Sequence, residues 1–236
     1  MGEKKGLHLQ KIPIVLLSVS LLLLFCCRPS PVLLSPFPEK IRTVQGFASL
    51  KITGDQGFSR SKFSFLFQLP DKGRIEVFDF LGRTLYQIVI KETQAFLVVP
   101  SKRIYWQSNQ KDIIDKFIGF RLDMTEVASF LSGQWSELEN KRGGQDKDFW
   151  IIQRDIKGRV TQGKKQGMRF QVIEHIEDTA LIRSLRFHNR FQTGKLNILS
   201  IDFNNPAKKD FFSLSFVDGF ERKSWEEIRT MMDHED

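Results

Sequence analysis

From about residue 39 the chain repeats one pattern: short runs in which large apolar side chains alternate with polar ones, each run broken by a turn. Phe63, Phe65 and Phe67 alternate with Lys62, Ser64 and Gln68, and Ile75 and Val77 alternate with Arg74 and Glu76. Tyr86, Ile88 and Ile90 share a face, as do Met168, Phe170 and Val172, and similar runs follow at Leu181–Phe187, Leu196–Phe203 and Phe211–Phe216. A period of two places successive side chains on opposite faces of a strand, so each run reads as a strand with one buried face. Gly, Asp-Lys-Gly and Asn-Pro breaks between runs favour antiparallel neighbours. A sheet built from so many twisted strands curls rather than lying flat.

Between the early and late strands the period changes. Lys111–Phe120 places Ile113, Ile114, Phe117 and Ile118 on one helical face and ends at Gly119. Asp123 followed by Glu126 has the spacing of a capping box for a second short helix, which carries Val127, Phe130 and Leu131 and stops near Gly133. A terminal helix over Lys223–Met232 aligns Trp225, Ile228 and Met232. The two mid-chain helices either cap an ordinary core or form a movable lid over an apolar cavity. The chain has 22 phenylalanines, which suits a large aromatic core or a greasy space left partly unfilled.

The first 38 residues have a different character. Lys4, Lys5 and Lys11 precede the apolar run Ile14–Phe25, which is shorter than the roughly 20 residues needed to span a bilayer and has the form of a signal-peptide core. Leu24-Phe25-Cys26-Cys27 resembles a bacterial lipobox. Taking Cys27 as the lipidated residue puts Leu24 and the small Cys26 in their usual places, although Phe25 is bulkier than the pattern prefers; an uncleaved signal anchor is the competing reading. The segment RPSPVLLSPFP can neither pair into a sheet nor sustain a helix and reads as a semi-rigid spacer. The expected organisation is a lipoprotein signal peptide over 1–26, a lipidated Cys27 with a Pro-rich tether over 27–38, and one domain over 39–236. No Asp follows Cys27, which in the enterobacterial sorting rule directs a lipoprotein to the outer membrane.

Net charge is +8, and removing Lys4, Lys5 and Lys11 together with Glu3 leaves about +6 on the mature part. Charge of this sign favours an anionic partner such as a phospholipid surface, or is simply a solvated basic face. No recognition helix or RNA-binding motif accompanies it, which argues against nucleic acid. Enzyme chemistry is not expected: no Gly-x-Ser-x-Gly elbow or phosphate-cradling loop occurs, and the histidines lack metal-ligand spacing.

Two segments together resemble a known family. RIEVFDFLGRTLYQIVI (Arg74–Ile90) is similar to the strand–turn–strand of LolB-like outer-membrane lipoprotein receptors, in the LolA/LolB superfamily. QKDIIDKFIGFRLDMTEVASFLSGQW resembles their helix–Gly–linker–helix insertion. The resemblance is close over about residues 46–135 and rests on the ordered combination rather than on any single motif. It implies a half-open antiparallel β-barrel with short helices as a lid; with the strands counted from the alternating runs, the expected fold is mainly β with α, a curved antiparallel sheet of about ten to eleven strands. It implies a monomer without cofactor or metal, lipid-anchored at the periplasmic face of the outer membrane. Such a receptor takes the acyl chains of lipoproteins from a periplasmic LolA-like carrier and inserts the cargo into membrane lipid. The family's insertion leucine corresponds to Leu81, followed by Gly82, and Phe80 stands where the family has proline.

The residues themselves agree with that role. Turns lie in water and are normally polar, so two large apolar residues at a hairpin tip are wasted unless they meet something apolar. Lipid burial would recover roughly 1.5–3 kcal/mol for each; the other reading is a tip that folds back on the domain. Candidate cavity residues are Phe63, Phe65 and Phe67, with Ile113, Phe117, Val127 and Phe130 from the lid. A carrier or sensor of another amphiphile on the same scaffold, and a structural envelope lipoprotein with a filled barrel, remain open as alternatives.

Overall fold

The computed structural model describes residues 38, 40–54, 57–135, 149–177, 179–208 and 210–233. The proposed lipobox, Cys27 and nearly all of the Pro-rich tether lie outside them. The alternating runs form one antiparallel sheet. Its strands are β1 (Thr43–Gly54), β2 (Gly57–Gln68), β3 (Lys72–Phe78), β4 (Thr84–Lys91), β5 (Gln94–Val99), β6 (Ile104–Asn109), β7 (Ile151–Arg154), β8 (Val160–Lys165), β9 (Met168–His175), β10 (Ile182–His188), β11 (Gln192–Phe203) and β12 (Glu221–Arg222). The order across the sheet is β12-β6-β5-β4-β3-β2-β1-β11-β10-β9-β8-β7, and only the two-residue β12 runs parallel to its neighbour. The long strands β1 and β11 meet at the centre, while β12 and β7 end the sheet at opposite edges. The sheet is therefore open and curved, not closed into a barrel.

Alternation sorts the side chains as expected. Phe63, Phe65 and Phe67 of β2, Ile88 and Ile90 of β4, and Phe170 of β9 are buried in one apolar cluster on the concave face. Two helices lie over that face, α1 (Gln110–Ile118) and α2 (Met124–Ser132). Each begins on a side-chain cap and ends on a glycine with positive φ: Asn109 and Gly119 bound α1, Asp123 and Gly133 bound α2. The capping box foreseen at Asp123 and Glu126 is formed in both directions. Helix α3 (Trp225–Asp233) packs its fully buried Ile228 into the core and sets Trp225 against Trp106 of β6, at 5.4 Å between ring centroids.

Two differences from the sequence reading have physical causes. The sheet has twelve strands rather than ten or eleven, because short edge strands such as β12 carry too few residues to show a period. Phe211–Phe216 is not a strand but a turn leading into a single 3-10 turn at Ser215–Val217. Its phenylalanines serve another purpose. The Arg74 guanidinium lies 5.0 Å from the Phe211 ring and 5.4 Å from the Phe216 ring, and it donates a 2.9 Å hydrogen bond to the Phe211 carbonyl. The segment after β11 is thus a strap over the convex face, where Leu66 shares a cleft with Phe211.

Candidate functional site

The concave face of the sheet and the undersides of α1 and α2 enclose an apolar cavity. Its walls include Leu50 (β1), Phe63 and Phe67 (β2), Ile75 (β3), Phe117 and Ile118 (α1), Val127 and Phe130 (α2), and Phe187 (β10) and Leu196 (β11). No polar atom faces it. Rings lining it pack edge to face, Phe63 against Phe117 at 5.6 Å, and Phe130 packs edge to face at 4.9 Å against Phe170 in the core beside the cavity. Tyr86 packs edge-on to Phe117 at 6.1 Å, and burial pushes its pKa well above the ordinary value of 10, so it stays a neutral phenol.

The void itself is small, about 50 Å³. That is room for one or two water-sized groups and far below the roughly 300 Å³ at which ligand pockets begin. In this form the phenylalanines fill most of the space, and an acyl chain enters only if rings or helices move.

Of the seven residues expected at the cavity, five line it: Phe63, Phe67, Phe117, Val127 and Phe130. Phe65 and Ile113 are buried beside it without forming its wall. Phe65 lies between Phe63 and Phe67, at 6.2 and 5.9 Å, and Ile113 is fully buried under α1. The walls contributed by β10 and β11 were not singled out from sequence, although Leu185 and Phe187 share a face by simple alternation.

Polar contacts pin the cover to the far half of the sheet. The Gly119 carbonyl, at the end of α1, accepts hydrogen bonds from the Gln192 amide at 2.6 Å and the Asn189 amide at 3.3 Å. In α2, Glu126 is buried with Lys165 of β8, and the two form an ion pair. The same carboxylate accepts from Trp150 Nε1 at 2.8 Å and from the Asp123 backbone N–H at 2.8 Å. Removing charge from water is costly unless every lone pair finds a partner, and here three donors surround one carboxylate.

The expected insertion turn joins β3 to β4 and stands clear of the domain. Phe80 is 93% exposed and Leu81 64%, so the tip does not fold back. Asp79 holds the turn. Its carboxylate accepts from the Leu81 N–H at 2.8 Å, the Arg83 N–H at 2.9 Å and Arg83 Nε at 2.7 Å, and Gly82 supplies a positive φ of 82°. With glycine at that φ and a side-chain acceptor behind it, the turn keeps its shape without needing the proline of the family pattern.

No protein-family model and no curated protein matches the sequence. Among solved structures, the fold is similar to a domain from Vibrio parahaemolyticus named for outer membrane lipoprotein sorting, at 10% identity and a TM-score of 0.55, covering 76% of this chain and 92% of that one. A DUF1329 family protein from Desulfovibrio piger aligns at 9% identity and a TM-score of 0.48, over 76% and 92% of the two chains. A LolA superfamily protein from Nitrosomonas europaea aligns at 8% identity and 0.47, over 74% and 92%. At such identities the likeness is one of fold, and the Vibrio domain carries it. The class so defined is an open half-barrel with a helical cover, in agreement with the LolA/LolB-type architecture expected from the sequence.

Proposed function

We propose that this chain is an envelope lipoprotein of the LolB type, anchored through Cys27 to the outer membrane. It receives lipidated proteins from a periplasmic LolA-like carrier and inserts them into membrane lipid. The acyl chains enter between the sheet and α1/α2, and the Leu81 turn delivers them. No catalytic step is required, since transfer of a hydrocarbon chain between apolar environments needs only contact and a lower free energy at the destination. The observation that carries the reading is the pairing of a wholly apolar, helix-covered cavity with a rigid turn that presents Phe80 and Leu81 to the outside.

The void of about 50 Å³ makes this the closed form, so cargo entry must displace the cover. The same small volume favours one other reading, a tethered structural domain that binds nothing. The two separate on a direct test. On depletion in the host bacterium, the transport reading expects lipoproteins stranded in the periplasm, and Leu81→Glu still to accept cargo but fail to insert it. Normal lipoprotein localisation in the depleted strain, with no displaceable fatty-acid probe on the purified protein, would sink it and leave the structural reading.

A further inference from the structure

Antiparallel order sends successive turns to opposite ends of the sheet. By the pairing of β1 to β5 and of β8 to β11, the end that carries Phe80 and Leu81 also carries the β1–β2 and β10–β11 turns. Phe58 and Phe191 stand at those turns, 61% and 56% exposed. One rim of the half-barrel therefore displays apolar side chains from three hairpins.

Set back from this rim is a line of positive charge. The ladder register places Arg60 of β2 opposite Lys51 of β1, Lys51 opposite Lys195 of β11, and Lys195 opposite Arg186 of β10. All four alternate with inward-facing neighbours such as Leu50, Leu185 and Leu196, which fixes them on the convex face. Among the described residues, none of the four has a carboxylate partner. Like charges directly across a ladder repel and weaken the sheet, so an unpaired row of four is a cost that an external anion would remove. The row lies two residues from Phe58, which along a strand is roughly 7 Å. Cations also sit on the rim rings: Lys51 Nζ is 4.9 Å from the Phe58 centroid, and the Arg190 guanidinium is 4.4 Å from that of Phe191. Apolar tips with cations a few ångströms behind them match the depth profile of a bilayer, acyl boundary first and phosphate next. Nucleic acid would match the charge but leave the four apolar tips without a partner.

We propose that this rim and the Arg60–Lys51–Lys195–Arg186 row form a docking face for a bilayer rich in anionic phospholipid. The inference deepens the proposed function by naming the lipid surface that the delivering turn meets.

The test uses the full chain in phosphatidylcholine vesicles, with and without phosphatidylglycerol, containing a phospholipid with a photoreactive acyl chain. Adducts are mapped by mass spectrometry. They are expected at Phe58, Phe80–Leu81 and Phe191, and expected to fall when phosphatidylglycerol is omitted. Lys51→Glu with Lys195→Glu should cut the rim adducts by roughly tenfold or more, while the melting temperature holds or rises, because the pairs with Arg60 and Arg186 become opposite-charge pairs and only the 51–195 pair stays like-charged. That opposite movement separates docking from damage to the fold. Rim adducts that ignore both phosphatidylglycerol and the charge reversals would overturn the proposal. Adducts at Phe117 or Ile118 report acyl-chain uptake separately: their absence alongside rim adducts counts against the cavity reading only, and their presence without rim adducts counts against docking only.

Discussion

The hairpins β3–β4 and β7–β8 end in the same turn built twice. Asp155 accepts from the Lys157 N–H at 2.9 Å, the Arg159 N–H at 2.9 Å and Arg159 Nε at 2.8 Å, with Gly158 at a φ of 77°, repeating the contacts of Asp79, Leu81, Gly82 and Arg83. Each turn even exposes an apolar residue just after its aspartate, Phe80 in one and Ile156 in the other. Their positions differ. Phe80 and Leu81 share a rim with Phe58 and Phe191, whereas Ile156 points from the opposite end, where no other described turn carries a large exposed apolar residue. The strand beside Ile156 braces the cover instead, since β8 supplies the Lys165 that holds α2. The Asp-x-x-Gly-Arg skeleton is thus a way of making a rigid turn, and function comes from what it carries and where it points.

The largest effect should come from the hairpin that holds the lid. Lys165→Met leaves the buried Glu126 carboxylate without its cation and should cost about 3–5 kcal/mol in urea unfolding followed by tryptophan fluorescence. Adding Glu126→Gln removes the stranded charge and keeps one acceptor oxygen, for either Trp150 Nε1 or the Asp123 N–H, so it should restore part of the loss. A single-variant cost within the usual surface range of about 1 kcal/mol would mean β8 is not the lid's anchor. Next comes the other hairpin. Leu81→Glu forfeits the roughly 1.5–3 kcal/mol of a leucine in lipid, so delivery of a lipidated cargo to vesicles should drop at least about tenfold, with the unfolding midpoint unchanged. Ile156→Glu on the matching turn should leave delivery intact. Equal losses from the two would erase the distinction between the ends.

How much of this could be read in advance depended on how local the cause was. The Phe63–Phe67 alternation, the Ile113–Ile118 stripe and the Asp123–Glu126 box each lie within a few residues, and all three appear as elements where the pattern placed them. Lys165 and Glu126 are 39 positions apart and pair directly, with Trp150 donating to the same carboxylate, only once β8 and α2 are stacked. The strap at Phe211 depends on Arg74, 137 positions away. The basic row is the extreme case: residues 51, 60, 186 and 195 form no cluster in the sequence, and only strand register aligns them. At the cavity, alternation put Phe65 on the correct face, yet which of several inward rings borders a small void is decided by packing over the whole layer.

Smaller effects test whether the two turns are truly one design. At both Gly82 and Gly158 an added Cβ would meet nothing within 4 Å, so Gly→Ala costs only the left-handed backbone, about 1 kcal/mol at each by urea midpoint. Clearly unequal costs would show that one turn is braced by something the other lacks.

Acid should give the smallest signal. Burial pushes both aspartates up, but the hydrogen bonds from the backbone and side chain of Arg83 or Arg159, with that of Leu81 or Lys157, outweigh it, so each pKa lies below the ordinary 3.8. A carboxyl group with a depressed folded-state pKa adds stability that is complete above its unfolded value and is lost as pH falls through the folded one. Stability should therefore decline as pH drops below about 4, and Asp79→Asn and Asp155→Asn should each flatten that acid limb by the same amount. A limb flattened by one substitution and not the other would break the equivalence, since the contacts that lower the two groups match one for one.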